Sequence, residues 1–133
     1  MSVVNTGKPD LVVGLIKLRY ASERPAEEAG MVTHVVEVIA TVVNVGEGLA
    51  KETTTRFWVE GADINRELRI VHTPELPPGE EIEVTALWDV RQRQGAYAIT
   101  VTADAFSQIR EIRVDNNSAT VRATVRDTRV ELT

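Results

Sequence analysis

The sequence predicts an all-β fold, a sandwich of about seven antiparallel strands in two sheets. Val and Thr are frequent, and their branched side chains suit a half-buried, pleated surface. Apolar residues recur with a period of two in about seven segments, and turn-forming residues separate these segments. No segment of useful length has the 3.6-residue period of a helix. A β-barrel with a similar number of strands is the structural alternative.

The strands can be assigned in order along the chain. The first is expected at 11–20, with a bulge at Gly14, because an isolated glycine weakens a strand at that point. The second is expected at 33–45, where valines and an alanine share one face, and residues 44–48 end it in a turn. Proline and glycine at 74–79 break the chain after the fourth strand. The remaining strands are expected at 51–60, 66–71, 80–90, 96–104 and 119–125.

Length and composition limit the domain organisation and the function. The 133 residues fit one domain, which we place at 9–126, with 1–8 and 127–133 as tails or linkers. The net charge of −5, with both signs interspersed, argues against nucleic acid as a partner. No apolar run reaches the roughly 18 residues that a membrane span requires. Because cysteine is absent, a disulfide, a cysteine-based zinc site and a cysteine nucleophile are all excluded.

An ordered series of short motifs resembles the CARDB family, which is named for cell-adhesion-related domains found in bacteria. The motifs are PDLVV at 9–13, ATVVNVGEG at 40–48, FWVEG at 57–61, LPPGE at 76–80 and GAY at 95–97. Single residues extend the series: Trp88, Ala103, Asp104, Glu111, Asp115, Asn116 and Asn117. The resemblance runs from Pro9 to about Val125 and implies an immunoglobulin-like sandwich, usually a module of larger secreted or surface proteins of bacteria and archaea. It departs from the family pattern at Arg113 and Val114, which precede Asp115, and in a long 21–31 loop.

The resemblance carries no catalytic residues, and we predict that the chain is not an enzyme. Neither a Gly-x-Ser-x-Gly nucleophile turn nor a glycine-rich phosphate loop occurs in the sequence. The N-terminus lacks the basic and apolar regions of a signal peptide. The chain is therefore either a cytoplasmic protein or a domain of a longer exported chain. The resemblance implies the second, with an extracellular or cell-surface location as part of a longer chain.

The strongest candidate for a metal site is the acidic loop at 104–117. Asp104, Glu111, Asp115 and Asn117 could offer oxygen ligands to calcium, which takes six to eight of them. The alternative is that Asp104 and the Asx residues at 115–117 form ordinary side-chain-to-backbone turn bonds, with Glu111 solvated. No other cofactor is predicted.

The candidate binding surface is centred on Trp58 and Arg56 in the third strand. An exposed Trp beside Arg56 could stack on a sugar or anchor a protein interface. The alternative is that a neighbouring loop covers Trp58, since large aromatic side chains are buried on average.

Two functions follow from these features. The first is an adhesion or binding module whose partner is a protein or carbohydrate on a surface. The second is a structural spacer, or a unit that associates with copies of itself through exposed edge strands.

Overall fold

Eight antiparallel strands form two sheets in the computed structural model, which describes residues 8–20, 35–90, 94–105, 117–126 and 129–132. The strands are β1 (Leu11–Tyr20), β2 (Val35–Asn44), β3 (Thr53–Gly61), β4 (Asn65–Thr73), β5 (Glu81–Asp89), β6 (Gly95–Thr102), β7 (Ser118–Arg126) and β8 (Arg129–Leu132). One sheet has three strands in the order β1-β2-β5, and the other has five in the order β4-β3-β6-β7-β8. The predicted all-β, two-sheet sandwich is confirmed, and the barrel alternative is wrong.

The strand assignment differs from the prediction mainly at the C-terminal end. Residues 127–133 were expected to form a tail or linker, yet β8 pairs with β7 through a register that joins Ala123 to Leu132 and Arg126 to Arg129. Val130 packs against the core, which explains why this short segment joins the sheet. The described residues therefore form eight strands, one more than the expected number of about seven.

The core lies between the two sheets and is built from alternate residues of their strands. On β2 the expected apolar face, Val36, Val38, Ala40 and Val42, is buried. Its members pair with inward residues of β1 and β5, such as Trp88 opposite Val36. Phe57 and Val59 of β3 and Ile99 of β6 supply the opposite wall. Aliphatic side chains dominate the core, as expected from the low aromatic content.

Two bulges interrupt the pairing. The β1–β2 register shifts between Val13 and Ile16, which confirms the bulge expected at Gly14. The β3–β4 register shifts between Phe57 and Trp58, where the sequence has no glycine to predict it. As a result, Trp58 lies opposite Glu67 on β4.

Ile39 is buried although it lies on the more polar, outward face of β2. The strand is central in its sheet, so Ile39 is flanked by Lys17 of β1 and Thr85 of β5. Lys17 also forms an ion pair at 3.5 Å with Glu83 of β5, which reaches across β2 on this face. The aliphatic stem of a lysine covers apolar surface while its charge stays in water, so the strand pattern alone understates the burial here.

The side chain of Asn44, at the end of β2, connects three separate backbone segments. Its Oδ1 accepts hydrogen bonds from Asp10 N at 3.1 Å and Gly46 N at 3.0 Å. Its Nδ2 donates to Gly48 O and Leu76 O, both at 2.8 Å. The residue is fully buried, and the four bonds fix the approach to β1, the turn after β2 and the segment before β5.

Gly46 lies in this turn and packs against the backbone that leads into β1. A Cβ added here would stand 2.5 Å from Lys8 O and 2.6 Å from Asp10 N. The amides of Glu47 and Gly48 donate to Lys8 O, and Val45 N donates to Asp10 O. The turn and the start of β1 therefore touch through backbone atoms on both sides, which only glycine allows.

Tyr97 ties β6 to its surroundings at the opposite end of the sandwich. Its ring meets Trp88 edge to face, with centroids 5.2 Å apart. Its hydroxyl lies 3.1 Å from Asp63 Oδ1 and 3.3 Å from Gln94 O. The bond to the Gln94 carbonyl three residues upstream resembles the tyrosine corner of immunoglobulin-like domains.

Candidate functional site

The outer face of the five-stranded sheet carries the two residues predicted to form a binding surface. On β3, Thr55, Phe57 and Val59 point into the core and are buried. Successive side chains of a strand point to opposite faces, so Arg56 and Trp58 project outward between them. The outward residues of β6 and β7 lie beside them on the same face.

Trp58 is half-buried and held in place by two neighbours. Its Nε1 donates to Asn65 Oδ1 at 2.7 Å, so the polar atom of the indole is satisfied. The guanidinium carbon of Arg56 lies 5.5 Å from the ring centroid, within the range of a cation–π contact, which is worth about 0.5–1 kcal/mol at an exposed site. The ring is thus oriented before any partner arrives.

Hydroxyl groups form two cross-strand pairs next to Trp58. Trp58 is opposite Thr100 on β6, and Thr100 Oγ1 lies 2.8 Å from Thr120 Oγ1 on β7. Thr102 Oγ1 and Ser118 Oγ make the next pair, also at 2.8 Å. These pairs place hydroxyl donors and acceptors on the outer face of the sheet.

A shallow groove of about 590 Å³ lies beside this surface. The sheet is indented here because the outward-facing Ala96 and Ala98 have small side chains. Glu60 of β3 and Arg122 of β7 line the groove, together with Thr100 and Thr120. Glu60 flanks Trp58 in the sequence, but Arg122 is not among the residues that the sequence predicts for this surface. The outward orientation of Arg122 follows from period-two alternation, whereas its proximity to Glu60 depends on a pairing register that only the structure shows.

Of the predicted calcium ligands, the structure describes Asp104 and Asn117. Both are buried, at 5% and 7% exposure. Ala103 N donates to Asn117 O at 2.8 Å, and Asn117 Nδ2 donates to Ala103 O at 3.4 Å, so Asn117 lies beside the residue that precedes Asp104. Asp104 has a φ of 49°, the left-handed region that Asp and Asn tolerate better than most residues. Glu111 and Asp115, with Asn116, lie outside the described residues.

Within the described ranges, no group of three or more His, Asp or Glu side chains is placed to hold a metal ion. The calcium site therefore stays a prediction.

Comparison with known proteins identifies the family. The CARDB family model matches residues 8–121. The chain belongs to the CARDB family. CARDB is a family of non-catalytic domains. No curated protein matches the chain.

Solved CARDB domains have the same fold. The crystal structure of the CARDB domain of a Pyrococcus furiosus protein, in complex with di-metal ions, has a TM-score of 0.69 at 24% identity and covers 94% of this chain and 95% of that one. A solution structure of the same domain has a TM-score of 0.64 at 25% identity, and the match covers 90% of this chain and 97% of that one. A domain of a predicted cell-surface protein from Methanosarcina acetivorans has a TM-score of 0.66 at 20% identity, and the match covers 90% of this chain and 94% of that one.

No helix among the described residues is long and apolar enough to cross a membrane.

Proposed function

We propose that this CARDB domain is a non-catalytic binding module of a larger secreted or cell-surface protein. Its contact surface is the outer face of the five-stranded sheet around Trp58 and Arg56, and its partner is a carbohydrate or protein on a surface. The Methanosarcina relative, a domain of a predicted cell-surface protein, supports the location. The observation that carries the proposal is the half-buried Trp58, oriented by Asn65 and Arg56.

Three properties of this surface favour recognition. A tryptophan offers a large contact area and has only two side-chain torsions, so its ordering costs little entropy. Trp and Arg are also the residue types most enriched among the dominant residues of protein interfaces. The paired hydroxyls of Thr100 and Thr120 lie next to the ring, so polar groups of a partner would find fixed hydrogen-bonding atoms.

Replacing Trp58 by Ala is expected to weaken binding about 10-fold or more, because it removes the aromatic contact, which is worth about 1–3 kcal/mol. The measurement uses fluorescently labelled protein and purified prokaryotic cell envelopes, with periodate and protease treatment of the envelopes to separate glycan from protein partners. Leu87→Ala is the matched control, because Leu87 is 56% exposed on the other sheet and should leave binding unchanged. If Trp58→Ala binds as the parent protein does, the proposed surface is wrong.

The spacer or self-assembly function is the second candidate. It is favoured by β8, a four-residue strand that is the last of its sheet among the described residues and whose Leu132 is 49% exposed. A strand at the edge of a sheet can add a strand from a second copy. Absence of any envelope binding, together with concentration-dependent association in light scattering, would favour this function over recognition.

Calcium binding by the 104–117 loop is a separate proposal. The burial of Asp104 beside Asn117 supports it, as does the complex of the Pyrococcus CARDB domain with di-metal ions. Asp104 and Asn117 would supply oxygen ligands from the described part of the loop, and Glu111 and Asp115 would complete the set. The ion would tie the two ends of the loop together.

About 5 mM calcium is expected to raise the melting temperature by a few degrees, and EDTA should reverse the rise. For an extracellular-type site with a Kd of about 10⁻⁴–10⁻³ M, mass action gives about 1–2 kcal/mol at that concentration. Asp104→Asn should abolish the shift, whereas Asp89→Asn, at an exposed position at the end of β5, should retain it. An unchanged melting temperature with calcium would contradict the site.

A further inference from the structure

The groove beside Trp58 has a floor of small residues and walls of opposite charge. In the sheet register, Glu60 of β3 is opposite Ala98 of β6, and Ala98 is opposite Arg122 of β7. Neighbouring strands are about 4.8 Å apart, so the Cα atoms of Glu60 and Arg122 are separated by about 10 Å across Ala98. A carboxylate and a guanidinium thus flank a methyl-lined depression.

Both charges are available to a ligand. Among the described residues, neither Glu60 nor Arg122 forms an ion pair or a side-chain hydrogen bond. Glu60 is exposed, as is Arg122. In contrast, two ion pairs lie on the other sheet, Lys17 with Glu83 and Arg19 with Glu37. The groove therefore offers a free acceptor on one side and a free donor on the other.

We infer that the groove binds a pyranose unit of a neutral glycan. The hydroxyls of a sugar both donate and accept, so one can donate to the Glu60 carboxylate while another accepts from the Arg122 guanidinium. The small floor of Ala98 leaves room for the ring and offers apolar contact to its C–H groups. This inference rests on the proposed function, because it names the partner class of the same surface.

The charge distribution selects against acidic glycans. A uronic-acid chain would find Arg122 but would meet Glu60 across the groove and a net charge of −5 over the chain. Like charges brought together at a binding surface disfavour association. A neutral chain avoids this cost, and its binding should change little with salt, because no net charge is screened.

The groove continues onto the tryptophan. Thr100 lines the groove and is also the cross-strand neighbour of Trp58. A glycan of several units that places one ring over Ala98 would therefore lay a neighbouring unit towards Trp58. This continuity predicts that short sugars bind more weakly than hexasaccharides.

The test titrates cellohexaose, mannohexaose and a hexamer of galacturonic acid into the protein by calorimetry and by ¹H–¹⁵N NMR. We expect a neutral hexasaccharide to shift the amides of Ala98, Thr100 and Thr120, with a Kd that changes less than about two-fold between low and high salt. The galacturonate hexamer should bind more weakly. Absence of shifts with both neutral hexasaccharides, or stronger binding of the acidic hexamer, would overturn the inference.

Variants separate the groove from the wider surface. Ala98→Val fills the floor with a residue that suits a strand, and it should weaken hexasaccharide binding about 10-fold. The same effect is expected of Glu60→Gln, which is near-isosteric, and of Arg122→Gln, which removes the guanidinium. Leu87→Ala is again the control.

If Trp58→Ala abolishes envelope binding and Ala98→Val does not, the contact surface stands and the groove assignment fails. If neither variant affects binding, both proposals fail. Envelope binding that survives periodate but not protease would also overturn the glycan assignment.

Discussion

Replacing Asn44 by Asp is expected to lower the free energy of unfolding by about 3–5 kcal/mol, the upper end of what single substitutions do. The side chain is fully buried and nearly isosteric with Asp, so packing changes little. Oδ1 can keep its bonds from Asp10 N and Gly46 N. The second oxygen, however, would face the carbonyls of Gly48 and Leu76, each of which now accepts a bond from Asn44 Nδ2. Gly48 O would lose this donor, whereas Leu76 O would keep its bond from Ala50 N. A buried group left unsatisfied costs about 1–3 kcal/mol, and a buried carboxylate that faces two carbonyls adds to that cost.

Thermal and urea denaturation measure this effect. A loss of about 3–5 kcal/mol in the free energy of unfolding corresponds to a fall in melting temperature of about 10–20 °C for a chain of this size. The matched control is Asn65→Asp, the same chemical change at an exposed position. Its Oδ1 only accepts a bond, from Trp58 Nε1, and a carboxylate can do the same. Equal melting temperatures for the two variants would show that the Asn44 bonds do not stabilise the fold as described.

Gly46→Ala is expected to cost about 2–3 kcal/mol, the range found when extra atoms are forced into a packed site. The new Cβ would stand 2.5 Å from Lys8 O and 2.7 Å from Pro9 C, and these are backbone atoms that cannot rotate away. The segment leading into β1 must then shift, which weakens the bonds that Lys8 O and Asp10 O accept from the turn.

Gly14→Ala supplies the comparison for this prediction. A Cβ at Gly14 would lie 3.7 Å from Thr41 O, an ordinary contact, so the change should stabilise the protein slightly, by up to about 1 kcal/mol. Hydrogen exchange adds a local readout, since the amides of Val45 and Glu47 should exchange faster in Gly46→Ala only. A melting temperature of Gly46→Ala at or above that of Gly14→Ala would refute the close-contact explanation.

The strands and their inward faces could be predicted because alternation is a local property. Val36, Val38, Ala40 and Val42 needed only period-two spacing, and the bulge at Gly14 needed only an isolated glycine. β8 has only four residues, Arg129–Leu132, which are too few for a period to be recognised, so the sequence predicts a tail there. Ile39 lies on the outward face, as alternation along β2 predicts, but its burial depends on neighbours in two other strands.

The site was less predictable than the fold because it depends on contacts between distant segments. Asn44 looked like a turn residue, whereas its partners Asp10 and Leu76 are 34 and 32 positions away. Trp58 and Arg56 were identified from one strand. The groove, by contrast, joins residues of β3, β6 and β7, whose register no single-sequence pattern determines.

The alternation along β3 has an evolutionary consequence. Each proposed contact residue of the outer face is separated from the next by a core residue, as Arg56 and Trp58 are by Phe57. Under the proposed function, mutations that change recognition fall on different positions from mutations that change stability, so the two properties could drift independently. Such a framework would be evolvable, because one target could replace another while the hydrophobic interior stays constant. The same separation makes positions 56, 58, 60, 98, 100 and 122 a natural set to randomise in a display library.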